Sequence, residues 1–299
     1  MVAIVVVTFN RLSYLKDLIE SLRKQEYNDN HIIVVNNGST DGTAEWLAEQ
    51  GDLTVINQGN VGGAGGFFTG MKHAAESGEY EYCWIMDDDV LCPPDSLREA
   101  IKAIKAVPEV GFVCSRVESE EGEALNVPEP AFNKRGHAYP QTFTHVASDG
   151  MVEVNSATFV AVLVPIVNIR KYGLPLREFF IWGDDSEYTM RLYNEAPCYI
   201  ACRSVVVHRR QNKGGLDFYT EENPKRLKMY YYMFRNRFVY VRRWKEGRFR
   251  VLKLWGSYVL ALAKLLVKFD FKRFSILASA VWAGLWFSPK VEFPKVKEG

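Results

Sequence analysis

Residues 2–8 (VAIVVVT) form an unbroken run of mostly β-branched apolar side chains, ended by the polar pair Asn10-Arg11. Successive side chains of a strand point to opposite faces, so a run without polar alternation demands a sheet covered on both sides. The same signature returns at 31–35 (HIIVV), 53–56 (LTVI) and 82–86 (YCWIM). Between the runs, apolar residues fall at helical spacing. Leu12, Leu15, Leu18, Ile19 and Leu22 make the first such face, and 43–50 reads as a second helix with Asp41 as candidate N-cap. Strand and helix alternating at this interval predict an α/β fold with a Rossmann-like, mostly parallel sheet flanked by helices. Ligands of such sheets bind beyond the carboxyl ends of the strands. Polar clusters at those ends are therefore the candidate site.

Further along, a helix is expected over 95–106, stopped near Pro108. Residues 117–150 are rich in Pro and Gly and read as a lid or an acceptor-facing insertion. Strands follow at 151–154, 158–164 and 203–207, with a helix from Asp184 to about Asn194 between the last two. From Pro224 the pattern is mostly helical, which sets an expected boundary between 1–223 and 224–299. Charge divides near the same place. Residues 225–299 hold 18 Lys and Arg against four acids, a net +14, whereas the first 224 residues carry a net −13. The five cysteines (Cys83, Cys92, Cys114, Cys198, Cys202) lie mostly in apolar stretches and lack zinc spacing, which fits buried thiols in a reducing compartment. Val2–Val7 is too short for a signal-peptide apolar core and reads as the first strand.

Four clusters carry the chemistry. Asp87-Asp88-Asp89 follow the apolar strand 82–86 directly. Three adjacent carboxylates repel one another unless a cation neutralises them, and Mg²⁺ usually takes one or two carboxylates plus substrate phosphates. Alternation along an extended chain points Asp87 and Asp89 one way and Asp88 the other; the competing reading is an acidic turn before a helix. Residues 36–42 (NNGSTDG) offer amides and hydroxyls suited either to a base and ribose or to helix capping. Asn60 to Gly66 (NVGGAGG) is a glycine-dense turn into a helix, suited to an anion or to plain flexibility, and no Walker lysine follows it. Trp182-Gly183-Asp184-Asp185 precedes a helix. One Asp there is explained as a cap, while two suggest a general base with a neighbour that holds an acceptor hydroxyl. His208, at the end of the run 205–207 and beside Arg209-Arg210, is a candidate metal or pyrophosphate ligand.

In order along the chain, Val6-Val7-Thr8-Phe9-Asn10-Arg11, Val35 to Gly42, the Asn60 to Gly66 turn, Asp87 to Asp89, Trp182 to Tyr188 and His208 together resemble glycosyltransferase family 2. The resemblance covers roughly residues 1–210 and implies the GT-A nucleotide-sugar fold. Gly62 to Phe67, Met86 to Val90 and Phe179 to Tyr188 look most like the galactofuranosyltransferases of that family. The resemblance implies a catalytic domain over 1–223 and an inverting transfer from UDP-galactofuranose to a lipid-linked surface glycan. It implies a nucleotide-sugar site of Thr8, Phe9, Asn10, Arg11, Asn36, Asn60, Gly62, Gly63, Asp87 and Asp88, with Asn36 standing where the family commonly has Asp. It further implies Mn²⁺ or Mg²⁺ on Asp87, Asp89 and His208, Asp185 as general base with Asp184 beside the acceptor, and Trp182 against an acceptor sugar. A rhamnosyl- or other hexosyltransferase of the same family is the alternative, and a nucleotidyltransferase the reading from another class.

The basic tail suggests a partner. Residues 226–244 interleave aromatics with Arg and Lys, and Arg235-Asn236-Arg237 resemble the segment after the catalytic domain of lipid-glycan family members. The longest uncharged stretches beyond it, 254–263 and 274–289, fall short of the ~18–20 residues that span a bilayer. Helices lying in the interface are the expectation, which would make the protein peripheral on the cytoplasmic face of the cell membrane. A helical subdomain or a homo-oligomer contact is the alternative. The acidic first part argues against a nucleic-acid partner.

Overall fold

The computed structural model describes residues 1–131, 147–209, 217–243 and 247–295. Residues 132–146, within the segment 117–150 expected to be a lid or insertion, lie outside the described residues, as does Arg210. The chain forms two compact units. One comprises Met1–Arg177, Asp185–Gln211 and Val291–Gly299, the other Glu178–Asp184 and Asn212–Lys290. The division is therefore not a single cut near residue 223. Seven residues just before Asp185 belong to the second unit, and the C-terminal tail belongs to the first.

The first unit is built on a mixed sheet. Strands β1 (Val2–Thr8), β2 (Asn30–Asn36), β3 (Thr54–Asn57) and β4 (Tyr82–Asp87) are all parallel, in the order β3-β2-β1-β4. After the short β5 (Val90–Leu91), β6 (Val113–Glu118), β7 (Ala124–Leu125), β8 (Glu129–Pro130) and β9 (Met151–Ser156) comes β10 (Val162–Pro165). It inserts antiparallel between β4 and β6. The long β11 (Tyr199–His208) then pairs parallel with β6 and antiparallel with β9. The expectation of a mostly parallel sheet holds for the half that carries the polar strand ends. An apolar run such as 158–164 gives no clue to direction.

Both faces of the sheet are covered, as the unbroken run in β1 requires. Val2, Ile4 and Val6 face one core with α1 (Leu12–Arg23), α2 (Thr43–Ala48) and α4 (Ser96–Ala106). Ala3, Val5 and Val7 face the other with α3 (Gly62–Ser77), α5 (Ile166–Tyr172) and α6 (Asp184–Glu195). The glycine-dense segment differs from expectation: most of it is helix. Gly62, Gly63, Gly65 and Gly66 form the first turns of α3. A Cβ on Gly66 would sit 2.4 Å from Val7 Cγ1, and one on Gly70 would sit 2.3 Å from Val5 Cγ1. These glycines, four apart on one face, bring the helix axis close to the sheet.

The second unit is a helical bundle of α7 (Pro224–Arg243), α8 (Gly247–Val267) and α9 (Phe271–Trp286). Its core is aromatic, with Phe218, Tyr230, Phe234, Phe238 and Tyr258 in edge-on and tilted contacts. Phe180 (φ 66°), Trp182 (φ 62°) and Gly183 (φ 91°) all adopt left-handed backbone in the segment 178–184. Such conformations persist only where the surroundings hold them. Here the buried Asn236 of α7 does so: its Nδ2 donates to the carbonyls of Phe179 (2.9 Å), Ile181 (3.2 Å) and Trp182 (2.9 Å). Arg235 Nη2 adds a bond to Glu178 O at 2.6 Å.

Candidate active site

The register of the parallel strands lines up their polar ends. Asn57 pairs with Asn36, Asn36 with Thr8, and Asp87 with Val7. Asn36 Nδ2 donates to Asn57 Oδ1 (2.9 Å), and Asn36 Oδ1 accepts from Ser39 N (3.1 Å). Asn10, itself left-handed (φ 54°), accepts from Thr40 N at 2.7 Å and donates its backbone N–H to Ser39 Oγ at 3.0 Å. Asp41 takes Leu12 N (3.0 Å) and Thr43 N (3.3 Å), so it serves the starts of both α1 and α2. Asn60 Oδ1 accepts from Gly62 N at 2.9 Å and opens α3. Gly38 (φ 81°) is required where it stands, because a Cβ there would meet Asn60 N at 2.9 Å. The structure thus joins three of the sequence clusters at one sheet edge, and their amides organise one another.

The carboxylate triplet departs from simple alternation. Asp87 ends β4, while Asp88 and Asp89 occupy a turn. The turn brings both onto Arg11 Nη1, Asp88 Oδ1 at 3.1 Å and Asp89 Oδ2 at 2.6 Å. Burial pushes the Asp88 carboxyl up to about 6, against the pull of Arg11. Burial opposes ionisation of Asp89 too, but His208 and Arg11 hold it below its ordinary value. For Arg11, burial works against the charge and the carboxylates Asp88, Asp89 and Asp87 prevail, raising its pKa.

His208 reaches Asp89 through strand pairing: β5 lies antiparallel to the end of β11, with Val90 opposite His208. Its Nε2 stands 3.1 Å from Asp89 Oδ1. That oxygen is buried and takes no well-aligned hydrogen bond among the described residues. The other ring nitrogen, Nδ1, lies 2.9 Å from Asn126 Oδ1, which only accepts. Nδ1 therefore donates to Asn126, which leaves Nε2 facing the carboxylate oxygen of Asp89. A carboxylate oxygen and an imidazole nitrogen brought together in this way are both ligand types for a divalent cation. The fit is to two of the three expected ligands. Among the described residues no group of three or more His, Cys, Asp or Glu is gathered for a metal, so Asp87 does not complete a preformed cluster. Asn126, held in left-handed backbone (φ 47°), was not singled out in the sequence; a lone Asn in a loop gives no signal.

Asp184 and Asp185 open α6. Asp184 is buried, whereas Asp185 is partly exposed. Asp185 Oδ1 accepts from Ser186 N (2.6 Å) and Ser186 Oγ (3.2 Å), and its carbonyl accepts from Thr189 Oγ1 at 2.7 Å. Thr189 in turn ties the helix to Ala157 N at 3.1 Å. Tyr188 packs edge-on against Phe159 (5.7 Å between centroids), which packs on Phe67 of α3 (4.9 Å). Burial of the carboxyl raises the Asp185 pKa from its ordinary value, against the bonds from Ser186. Within the second unit, Trp182 is half-buried and lies against Tyr230, 5.1 Å between ring centroids. Thr8 is buried at the end of β1, while Phe9 is exposed.

Comparison with known proteins agrees with this arrangement. The family model described as glycosyl transferase family 2 matches residues 3–163, more than half of the chain. The chain belongs to that family, and its mixed sheet flanked by helices is the GT-A fold. It is 23% identical over 206 residues to galactofuranosyltransferase GlfT1 of Mycolicibacterium smegmatis, covering 67% of this chain and 68% of that one. It is 30% identical over 139 residues to galactofuranosyltransferase GlfT2 of the same organism, covering 44% of this chain but only 20% of that protein. Among solved structures, S. aureus TarS superposes with a TM-score of 0.57 at 15% identity, over 82% of this chain and 40% of that chain. GalNAc-T7, solved with UDP, GalNAc and Mn²⁺, gives 0.59 at 14% identity, over 72% of this chain and 44% of that one.

Proposed function

We propose that the protein is an inverting galactofuranosyltransferase that uses UDP-galactofuranose and a divalent cation to extend a lipid-linked surface glycan at the cytoplasmic membrane face. The observation that carries the reading is the Asp89–His208 pair, a carboxylate oxygen and an imidazole nitrogen 3.1 Å apart at the sheet edge where the strands end in Thr8 and Asn36. The likeness to two galactofuranosyltransferases supports the choice of donor. A bound Mn²⁺ or Mg²⁺ would neutralise the charge that develops on the departing nucleoside diphosphate. Asp89 and His208 would hold it, with Asp87 beside them and the donor's phosphates filling other positions. Thr8, Phe9, Asn10, Arg11, Asn36, Asn60, Gly62, Gly63 and Asp88 would border the nucleotide and sugar. Asp185 takes the proton of the acceptor hydroxyl as its oxygen attacks the anomeric carbon; the bond to the diphosphate breaks on the opposite face, which inverts the centre. Asp184 and Trp182 are assigned to the acceptor.

The test is a panel of donors with a lipid-like acceptor, with and without Mn²⁺, read by mass spectrometry of the products. Transfer of galactofuranose that stops on chelation is expected. Turnover only with a dTDP-rhamnose-type donor moves the assignment to the alternative within the family, and pyrophosphate release from a nucleoside triphosphate removes glycosyl transfer.

A smaller effect is expected at Asn126. Asn126→Gly tolerates the left-handed backbone but deletes the acceptor that sets the His208 ring. Mn²⁺ affinity in the presence of UDP should fall about tenfold, the usual scale for losing the partner of a ligating histidine. Calorimetric titration reads the affinity, and unchanged affinity would leave Asn126 without that role.

A further inference from the structure

The helix α8 has two apolar faces, and the bundle uses one. Leu254, Tyr258 and Leu265 are buried in the bundle core. Phe249 (84% exposed), Leu252, Trp255, Val259, Leu260 and Val267 (78%) all meet solvent. At about 100° per residue, these six fall within an arc of roughly 140° on the side opposite the buried row. Arg250, Lys253 and Lys264 fall together along one flank of that arc, and no Asp or Glu occurs anywhere from 247 to 267. The turn after α8 and the next helix extend the exposed apolar set with Phe269, Phe271, Trp282 (68%) and Trp286 (73%). No described helix is long and apolar enough to cross a membrane.

We infer that the outer face of α8 docks in the plane of an anionic lipid bilayer, with its apolar arc among the acyl chains and the Lys253–Lys264 flank on the headgroups. Charge complementarity selects this occupant. A wide apolar face bordered by cations, and lacking acids, matches an apolar layer beneath anionic phosphates. Pairing two copies through the same face would set cation against cation with no acid along 247–267 to offset them. Exposed Trp side chains suit the boundary between headgroup and chain, where an apolar ring and a polar N–H are both satisfied. The inference deepens the membrane-face location in the proposed function, and it is read without donor or acceptor. A failure here therefore leaves glycosyl transfer standing, and the reverse holds as well.

The experiment is co-sedimentation of the full chain with vesicles of phosphatidylcholine alone or with about 30 mol% phosphatidylglycerol, a fraction chosen to give a negative surface. Partition into the anionic vesicles should exceed that into the neutral ones at least tenfold and weaken as salt is raised. Leu252→Glu with Leu260→Glu, at solvent-facing positions, should abolish binding while the far-UV circular dichroism is unchanged. Lys253→Glu with Lys264→Glu should remove the preference for anionic vesicles and provides a second reading that leaves the apolar arc intact. Equal partition into both vesicle types, or none by the wild-type chain, overturns the inference. A wild-type dimer that Leu260→Glu dissociates, with no lipid binding, assigns the face to a second copy and overturns it too.

Discussion

Asp185→Asn is expected to lower kcat by about a thousandfold while leaving UDP binding unchanged within about twofold. The substitution keeps the side chain's shape and its oxygen toward Ser186, which fixes the carboxylate plane through bonds of 2.6 and 3.2 Å. What it removes is the ability to take a proton. Only the transition state needs that, so kcat and kcat/KM should fall together. The pH profile gives an independent sign. A general base works deprotonated, and burial raises the Asp185 pKa. The acid limb of kcat/KM should therefore lie above the ~3.9 of an ordinary Asp, with activity lost as pH falls through the raised value. The residual rate of the Asn variant should lack that limb. Release of UDP measured continuously across pH tests both points. A fall in kcat of less than tenfold would deny Asp185 the role.

Gly70→Leu is expected to cost about 3 kcal/mol of stability, at the upper end of the range for overpacking a core. The loss arises because even a Cβ at that position would stand 2.3 Å from Val5 Cγ1 and 3.1 Å from Val35 Cγ2. Those side chains belong to adjacent central strands and have no room to retreat, since the opposite face of the sheet is packed as well. Replacing Gly by a good helix former in α3 would gain about 1 kcal/mol in propensity, so the steric term decides the sign. For a unit of this size the thermal midpoint should drop by roughly 6–12 °C. Calorimetric melting measures it. By contrast, Gly63→Ala, which meets nothing within 4 Å, should be neutral or mildly stabilising.

The comparison of these two glycines shows what the sequence conveyed and what it hid. Strands β1 to β4 were legible because unbroken apolar runs have few other solutions, and the polar ends of those strands followed from them. The glycine-dense segment was legible as special but not as helix. Glycine both frees a turn and thins a helix, and the contacts with Val5 and Val7 that decide between the two are remote in sequence. Alternation placed Asp88 opposite Asp89, but the turn after Asp87 places both on Arg11. Asp89 and His208 were each named, yet their meeting depends on β5 pairing with the end of β11, which a two-residue strand does not announce. The membership of Glu178–Asp184 was hidden for the same reason: its partner, Asn236, comes more than fifty positions later.

That last contact bears on how the chain can be divided for study. A fragment ending at residue 223 would keep every residue assigned to chemistry but lose Asn236 and with it the side-chain bonds to the carbonyls of Phe179, Ile181 and Trp182. It would also lose the bond from Leu174 N to Glu292 O that straps the tail to the first unit. The left-handed residues leading into Asp184 would relax, and the carboxylates after them would lose a fixed starting point. A soluble core obtained that way would be a poor guide to the activity of the whole.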